Sequence, residues 1–226
     1  MKDKIKTLVW DLDNTLYKFY PEQVDAWNRA TVDYALQNGV TLPYDEALKL
    51  AEDGWLSHRN SGHHFTHTHG LCSRQMHIGV NNHLSEKMVT ACLETPELMK
   101  AMREYRHVIL TFAVRDWAKR VLEHTKLAEF FEPDYILGAE DYNFEDKAHS
   151  ARGILTALEL TGATPDEVLF VEDTLPNLKP AKEKAGVNTA YLYHSRPMND
   201  NDMGFVDLKV QDTPELLKWF KEIPST

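Results

Sequence analysis

The chain has 226 residues, 42% of them hydrophobic, which suits one large domain or a core domain with an insert and argues against global disorder. A formal net charge of −10 weighs against a nucleic-acid backbone or an anionic membrane as the main partner, while leaving room for a small anion in a locally positive pocket. Cys72 and Cys92 cannot build a disulfide framework, no run of about 20 apolar residues suits a spanning helix, and the N-terminal apolar run is too short for a signal-peptide core, so a cytoplasmic protein is expected.

The first predicted element is a strand over residues 5–10, apolar at nearly every position. It runs straight into Asp11 and Asp13, in the stretch VWDLDNTLY. Like charges at the end of a buried strand repel each other and lose hydration, so something must compensate them. Val24, Trp27, Thr31 and Tyr34 then recur near the helical period, with Pro21 at the start and Gly39 past the end. Ala47, Leu48, Ala51 and Trp55 mark a second helix. No strand pattern appears from about residue 18 to 90.

Thr95-Pro96-Glu97 reads as a helix start, with Thr95 as the cap. A strand follows at 107–111, a helix marked by Trp117, Val121 and Leu122, and a strand at 135–137. Ile154, Leu155 and Leu158 mark the next helix, and it leads to strands at 168–171 and 189–193 and a weaker one at 205–210. Thr213-Pro214-Glu215 opens the last helix. Unbroken apolar runs alternating with helices indicate an α/β fold: a Rossmann-like, doubly wound, mostly parallel sheet. Residues 1–17 and 91–226 are expected to form this core, and residues 18–90 an inserted helical cap subdomain.

Open α/β sheets bind ligands at the carboxyl ends of their strands. Asp11 and Asp13 follow the first strand, Thr111 ends the second, Lys147 follows the third, and Glu172 and Asp173 follow VLFV. Converging carboxylates need a cation, and oxygen ligands in small number favour Mg²⁺. A lysine and a hydroxyl beside that ion suit a phosphate group. The pocket therefore reads as one for a phosphate monoester and magnesium. Neither GxxxxGK[ST] nor GxGxxG is present.

DLDNT, a threonine ending the next strand, a downstream lysine and an acidic pair after VLFV together resemble the haloacid dehalogenase-like superfamily over residues 4–193. The resemblance implies that Asp11 is the nucleophile that forms an aspartyl-phosphate and Asp13 the general acid and base. It implies that Thr111 and Lys147 hold the phosphate, and that Mg²⁺ is bound by Asp11, the Asp13 carbonyl and Asp173. Dehalogenases of the family lack the second aspartate, so Asp13 points to a phosphatase, with crowding by Asp11 expected to keep it protonated. DLDNTLY, LTFAVRDWAKRVLE and FVEDTLPNLKPAKEKAG look most like the pyrimidine 5′-nucleotidase-like branch, which implies a nucleoside 5′-monophosphate as substrate. A sugar-phosphate phosphatase or phosphomutase is the close alternative, and a non-enzymatic phosphate-binding or regulatory protein the alternative of another class. Phe112 and Ala148 stand where Asn and Pro are usual in the family, and Asn177 where some relatives have an acid. Glu172 is read as structural or as supporting the metal ligands from behind. The oligomeric state is left open.

Seven of the eleven histidines lie between His58 and His83. His63 and His67 have the spacing of two ligands on one helix face, but no HExxH is present. The readings are a second, transition-metal site, a cap surface or cap core with several neutral imidazoles, or contacts from Arg59, His63 or His64 to the leaving group of the substrate. Trp10, Trp27 and Trp55 are expected in the core, and both cysteines as buried or inert thiols.

Overall fold

In chain order the strands are β1 (Thr7–Trp10), β2 (Tyr17–Lys18), β3 (Thr90–Ala91), β4 (Arg106–Leu110), β5 (Ile136–Leu137), β6 (Val168–Glu172), β7 (Asn188–Leu192) and β8 (Leu208–Val210). The helices are α1 (Pro21–Gln37), α2 (Tyr44–His58), α3 (His63–His67), α4 (Ser73–His83), α5 (Glu94–Met99), α6 (Arg115–His124), α7 (Arg152–Thr161), α8 (Leu175–Ala185) and α9 (Thr213–Lys221). The computed structural model describes residues 1–18, 20–58, 60–194 and 204–221. None of its helices is long and apolar enough to cross a membrane.

The chain divides into two units, residues 1–18 with 90–226 and residues 19–89. In the first, six strands form one sheet in the order β5-β4-β1-β6-β7-β8, and every neighbouring pair is parallel. All four residues of β1 and all five of β6 are buried, because helices cover both faces and no solvated face remains to favour alternation. β1 is central: Trp10 is level with Ile109 on one side and Val171 on the other. The ends of β1, β4 and β6 therefore open side by side.

The weak strand expected over 205–210 is confined to Leu208–Val210. The small antiparallel pair β2–β3 was not expected, since two-residue strands carry no periodicity. Thr95 does not cap α5, which starts one residue earlier at Glu94; the Thr95 side chain is fully buried inside the helix. Trp10 is core as expected, but Trp27 and Trp55 are only half-buried, and Cys72 is exposed. Helical spacing shows which positions share a face, not how completely a neighbour covers it.

Trp10 Nε1 donates to His107 Nδ1 at 3.0 Å, and His107 Nε2 donates to the Met102 carbonyl at 3.0 Å. The imidazole is 5% exposed and locked in one neutral tautomer, and burial pushes its pKa below the ordinary value of about 6.5 despite the Met102 bond. The unfolded chain thus binds this proton more readily, so the stability His107 contributes is complete above about pH 6.5 and is lost as pH falls towards the depressed native value. The urea unfolding midpoint should fall between pH 7 and pH 5, and His107→Gln should flatten that slope. An unchanged slope would place the acid sensitivity elsewhere.

The second unit is built by α1 to α4. Gly79 of α4 lies against Tyr34 of α1, and a Cβ there would meet the ring at 1.9 Å, so only glycine permits this approach. Ser61 Oγ donates to Asn28 Oδ1 at 2.6 Å, which satisfies two buried polar side chains at once.

Candidate active site

Asp11 continues the sheet for one residue past β1, its N–H donating to the Val171 carbonyl at 2.9 Å. This register brings its carboxylate beside Glu172 at the end of β6. Lys147 answers both: its Nζ is 2.5 Å from Asp11 Oδ1, 2.7 Å from Glu172 Oε2 and 3.3 Å from the Leu110 carbonyl. The three side chains are 7%, 7% and 1% exposed for Lys147, Asp11 and Glu172, so one buried ammonium faces two buried carboxylates. Burial alone would lower the Lys147 pKa, but Asp11 and Glu172 hold it well above the ordinary lysine value. Burial and then Glu172 push Asp11 well above the usual carboxylate range, with Lys147 opposing.

Asp13 is only half-buried. Tyr17 Oη and Trp117 Nε1 both donate to its Oδ1, the latter at 3.3 Å, and Thr111 Oγ1 donates to its Oδ2 at 3.3 Å. Its pKa is raised by burial, while these donors and Lys147 oppose the rise. Burial is the first cause favouring the protonated form, and the crowding expected from the sequence registers on Asp11, which Asp13 pushes up. Burial and Asp13 keep the Tyr17 phenol well above its ordinary value, so it stays a donor.

Asn14 adopts the left-handed conformation at φ 61°, which asparagine tolerates, and donates from Nδ2 to Asp173 Oδ2 at 2.6 Å. Thr111, fully buried, directly follows β4; its hydroxyl accepts the Ala113 N–H at 3.1 Å, and its carbonyl accepts from Tyr142 Oη at 2.9 Å. Glu172 also accepts the Thr174 N–H at 3.0 Å, which closes the turn after β6.

Asp11, Glu172 and Asp173 each offer a carboxylate oxygen within 4.8 Å of the others, and all three are buried. Three acids against one lysine leave uncompensated negative charge, and an oxygen-only donor set is chemically suited to a hard divalent ion such as Mg²⁺. The residues present fit that ion.

Lys147 thus bonds Asp11, Thr111 bonds Asp13 two residues along the chain, and Asp173 lies against Asp11. Lys182 and Lys184 are engaged with Asp207 and the His149 carbonyl instead. Arg59 lies outside the described residues, and His63 and His64 belong to α3 of the second unit. Two contributions went unread in the sequence, and one was read too weakly: Glu172, expected to be structural or to support the metal ligands from behind, is itself a member of the acid trio. Tyr17 and Trp117, the partners of Asp13, carried no signal beyond an apolar pattern.

A family profile described as haloacid dehalogenase-like hydrolase matches residues 5–183. Among solved structures, an HAD phosphatase from Thermococcus onnurineus is 19% identical over 95% of this chain and 97% of its own, with a TM-score of 0.63. YfnB from Bacillus subtilis, bound to magnesium, is 15% identical over 97% and 99%, with a TM-score of 0.65. A dehalogenase is 16% identical over 99% of each chain, with a TM-score of 0.59. No protein of curated function matches the chain.

Proposed function

The chain belongs to the haloacid dehalogenase-like hydrolases, and from that premise we propose that it is a Mg²⁺-dependent phosphatase for a small phosphate monoester, with its helical insert as the cap subdomain. One observation carries this reading: a second carboxylate, Asp13, held by three donors two residues from the buried Asp11–Lys147 pair. A halide leaves as a stable anion and needs no acid. An alkoxide leaving group does, and Asp13 is the group positioned to supply the proton.

Asp11 attacks phosphorus in line, so the P–O bond to the leaving group breaks as the aspartyl-phosphate forms. Asp13 gives its proton to the departing oxygen, then takes one from the water that hydrolyses the phospho-enzyme. Lys147 orients the Asp11 carboxylate and would hold the phosphate oxygens beside it, and the Thr111 hydroxyl would supply a further donor. Bound Mg²⁺, held by Asp11, Asp173 and the Asp13 carbonyl, would neutralise charge on the transferring group; the acid trio, including Glu172, supports its presence. The substrate class we favour is a nucleoside 5′-monophosphate, on the strength of DLDNTLY and FVEDTLPNLKPAKEKAG.

Phosphate release from a panel of nucleoside monophosphates, sugar phosphates and p-nitrophenyl phosphate tests the proposal. Release should require Mg²⁺ and stop with EDTA. Asp13→Asn should slow alkyl phosphates by about 10² to 10⁴-fold, and p-nitrophenyl phosphate, whose leaving group needs little protonation, far less. Equal slowing of both would remove Asp13 from the acid role. Turnover confined to sugar phosphates, or phosphate passed between sugars, would move the substrate to that class. No metal-dependent release from any member would favour a binding protein.

A further inference from the structure

Four imidazoles and one carboxylate gather where α2 ends and α3 begins. His58 stacks on His63 with ring centroids 3.6 Å apart and planes 13° from parallel, and His63 stacks on His67 at 4.2 Å and 23°. His64 stands edge-on to His63 at 5.4 Å. In two of the rings the nitrogens are already sorted. His67 Nδ1 lies 2.9 Å from the His63 carbonyl, which can only accept, so Nδ1 carries the proton and Nε2 keeps its lone pair. His64 Nε2 donates to Asp53 Oδ2 at 2.7 Å, which leaves the lone pair on Nδ1. An imidazole whose other nitrogen is fixed by a carbonyl or carboxylate is the form that metal-ligating histidines take.

We propose that His63, His64 and His67, with His58 as a further donor and Asp53 orienting His64, bind a borderline divalent transition metal: Zn²⁺, Ni²⁺ or Cu²⁺. Imidazole nitrogens select this class, whereas the oxygen-only trio of the first unit selects a hard ion. The two sites therefore differ in metal as well as in place. Lone pairs lie in the ring planes, so stacked rings do not yet converge. Binding turns His58 and His63 about their side-chain torsions and exchanges stacking for metal–nitrogen bonds, while His64 and His67 keep the bonds that fix their protonated nitrogens. His58 is exposed and has room for that turn.

Zinc titration by calorimetry, with Mg²⁺ in excess throughout, tests this. The wild-type chain should bind one Zn²⁺ that Mg²⁺ does not displace. The double variant His63→Ala/His67→Ala should lose it, and Asp53→Asn should weaken it about tenfold. Metal-free thermal melts of the variants should match the wild type; if the double variant melts early, His67→Gln at its exposed position replaces it. Zinc bound equally well by the variants, displaced by Mg²⁺, or not bound at all would overturn the proposal. So would a double variant that keeps zinc but reorders the phosphate panel, since that result assigns these histidines to the leaving group.

Discussion

Asp11→Asn is expected to remove phosphate release almost completely, by about four orders of magnitude or more, as loss of a covalent nucleophile does. The loss should come without unfolding. Asp11 is held well above the usual carboxylate range by burial and by Glu172, so its ionised form is a strained element of the folded state near neutral pH. Asparagine keeps the shape, removes one of three crowded charges and leaves Lys147 paired with Glu172 at 2.7 Å. The variant should therefore melt no lower than the wild type. Measured rates that stay within tenfold of wild type would withdraw the nucleophile role. A dead enzyme that also melts early would mean that Asp11 is needed for folding, and the rate alone would then carry no assignment.

Lys147→Met is expected to damage both stability and activity. Methionine approximates the length of the stem but removes the only ammonium bonded to Asp11 and Glu172 among the described residues. Breaking a buried ion pair by deleting one partner costs about 3–5 kcal/mol, because the other charge is left uncompensated. Here two carboxylates are left, so the urea midpoint should drop clearly. Added Mg²⁺ should recover part of that loss, since the cation answers the same charges, but it should not restore turnover, which is expected to fall about 10² to 10³-fold. If Mg²⁺ restored full turnover, Lys147 would be a structural counter-charge and not a phosphate-holding residue. A midpoint unchanged from wild type would show that the two carboxylates share a proton in the native protein and do not need the lysine.

Much of this site was legible in the chain because its residues sit next to strand ends, and strand ends are visible as breaks in apolar runs. Asp11, Thr111 and Asp173 were found that way, and the structure brings them together with Lys147 although 136 residues separate Lys147 from Asp11. What was not legible had no local signature. Tyr17 and Trp117 look like ordinary apolar positions until their polar atoms are seen to meet Asp13. The histidine segment announced its composition, but no spacing rule foretold three rings in a stack. Thr95-Pro96-Glu97 carried a sound capping signal, and packing overrode it by burying the threonine.

By itself the sequence determined which strands are buried on both faces, and that acidic groups stand at their ends. It could not determine which strand lies beside which. An unbroken apolar run says that helices cover both faces, but it is silent about hydrogen-bonded neighbours. The order β5-β4-β1-β6-β7-β8 is decided by how the crossover helices pack. That order sets β6 against β1, in a register that brings Glu172 to Asp11. Two carboxylates from distant parts of the chain then share one lysine, and residues that separately are only acids after a strand become the buried acid cluster on which the proposed function rests.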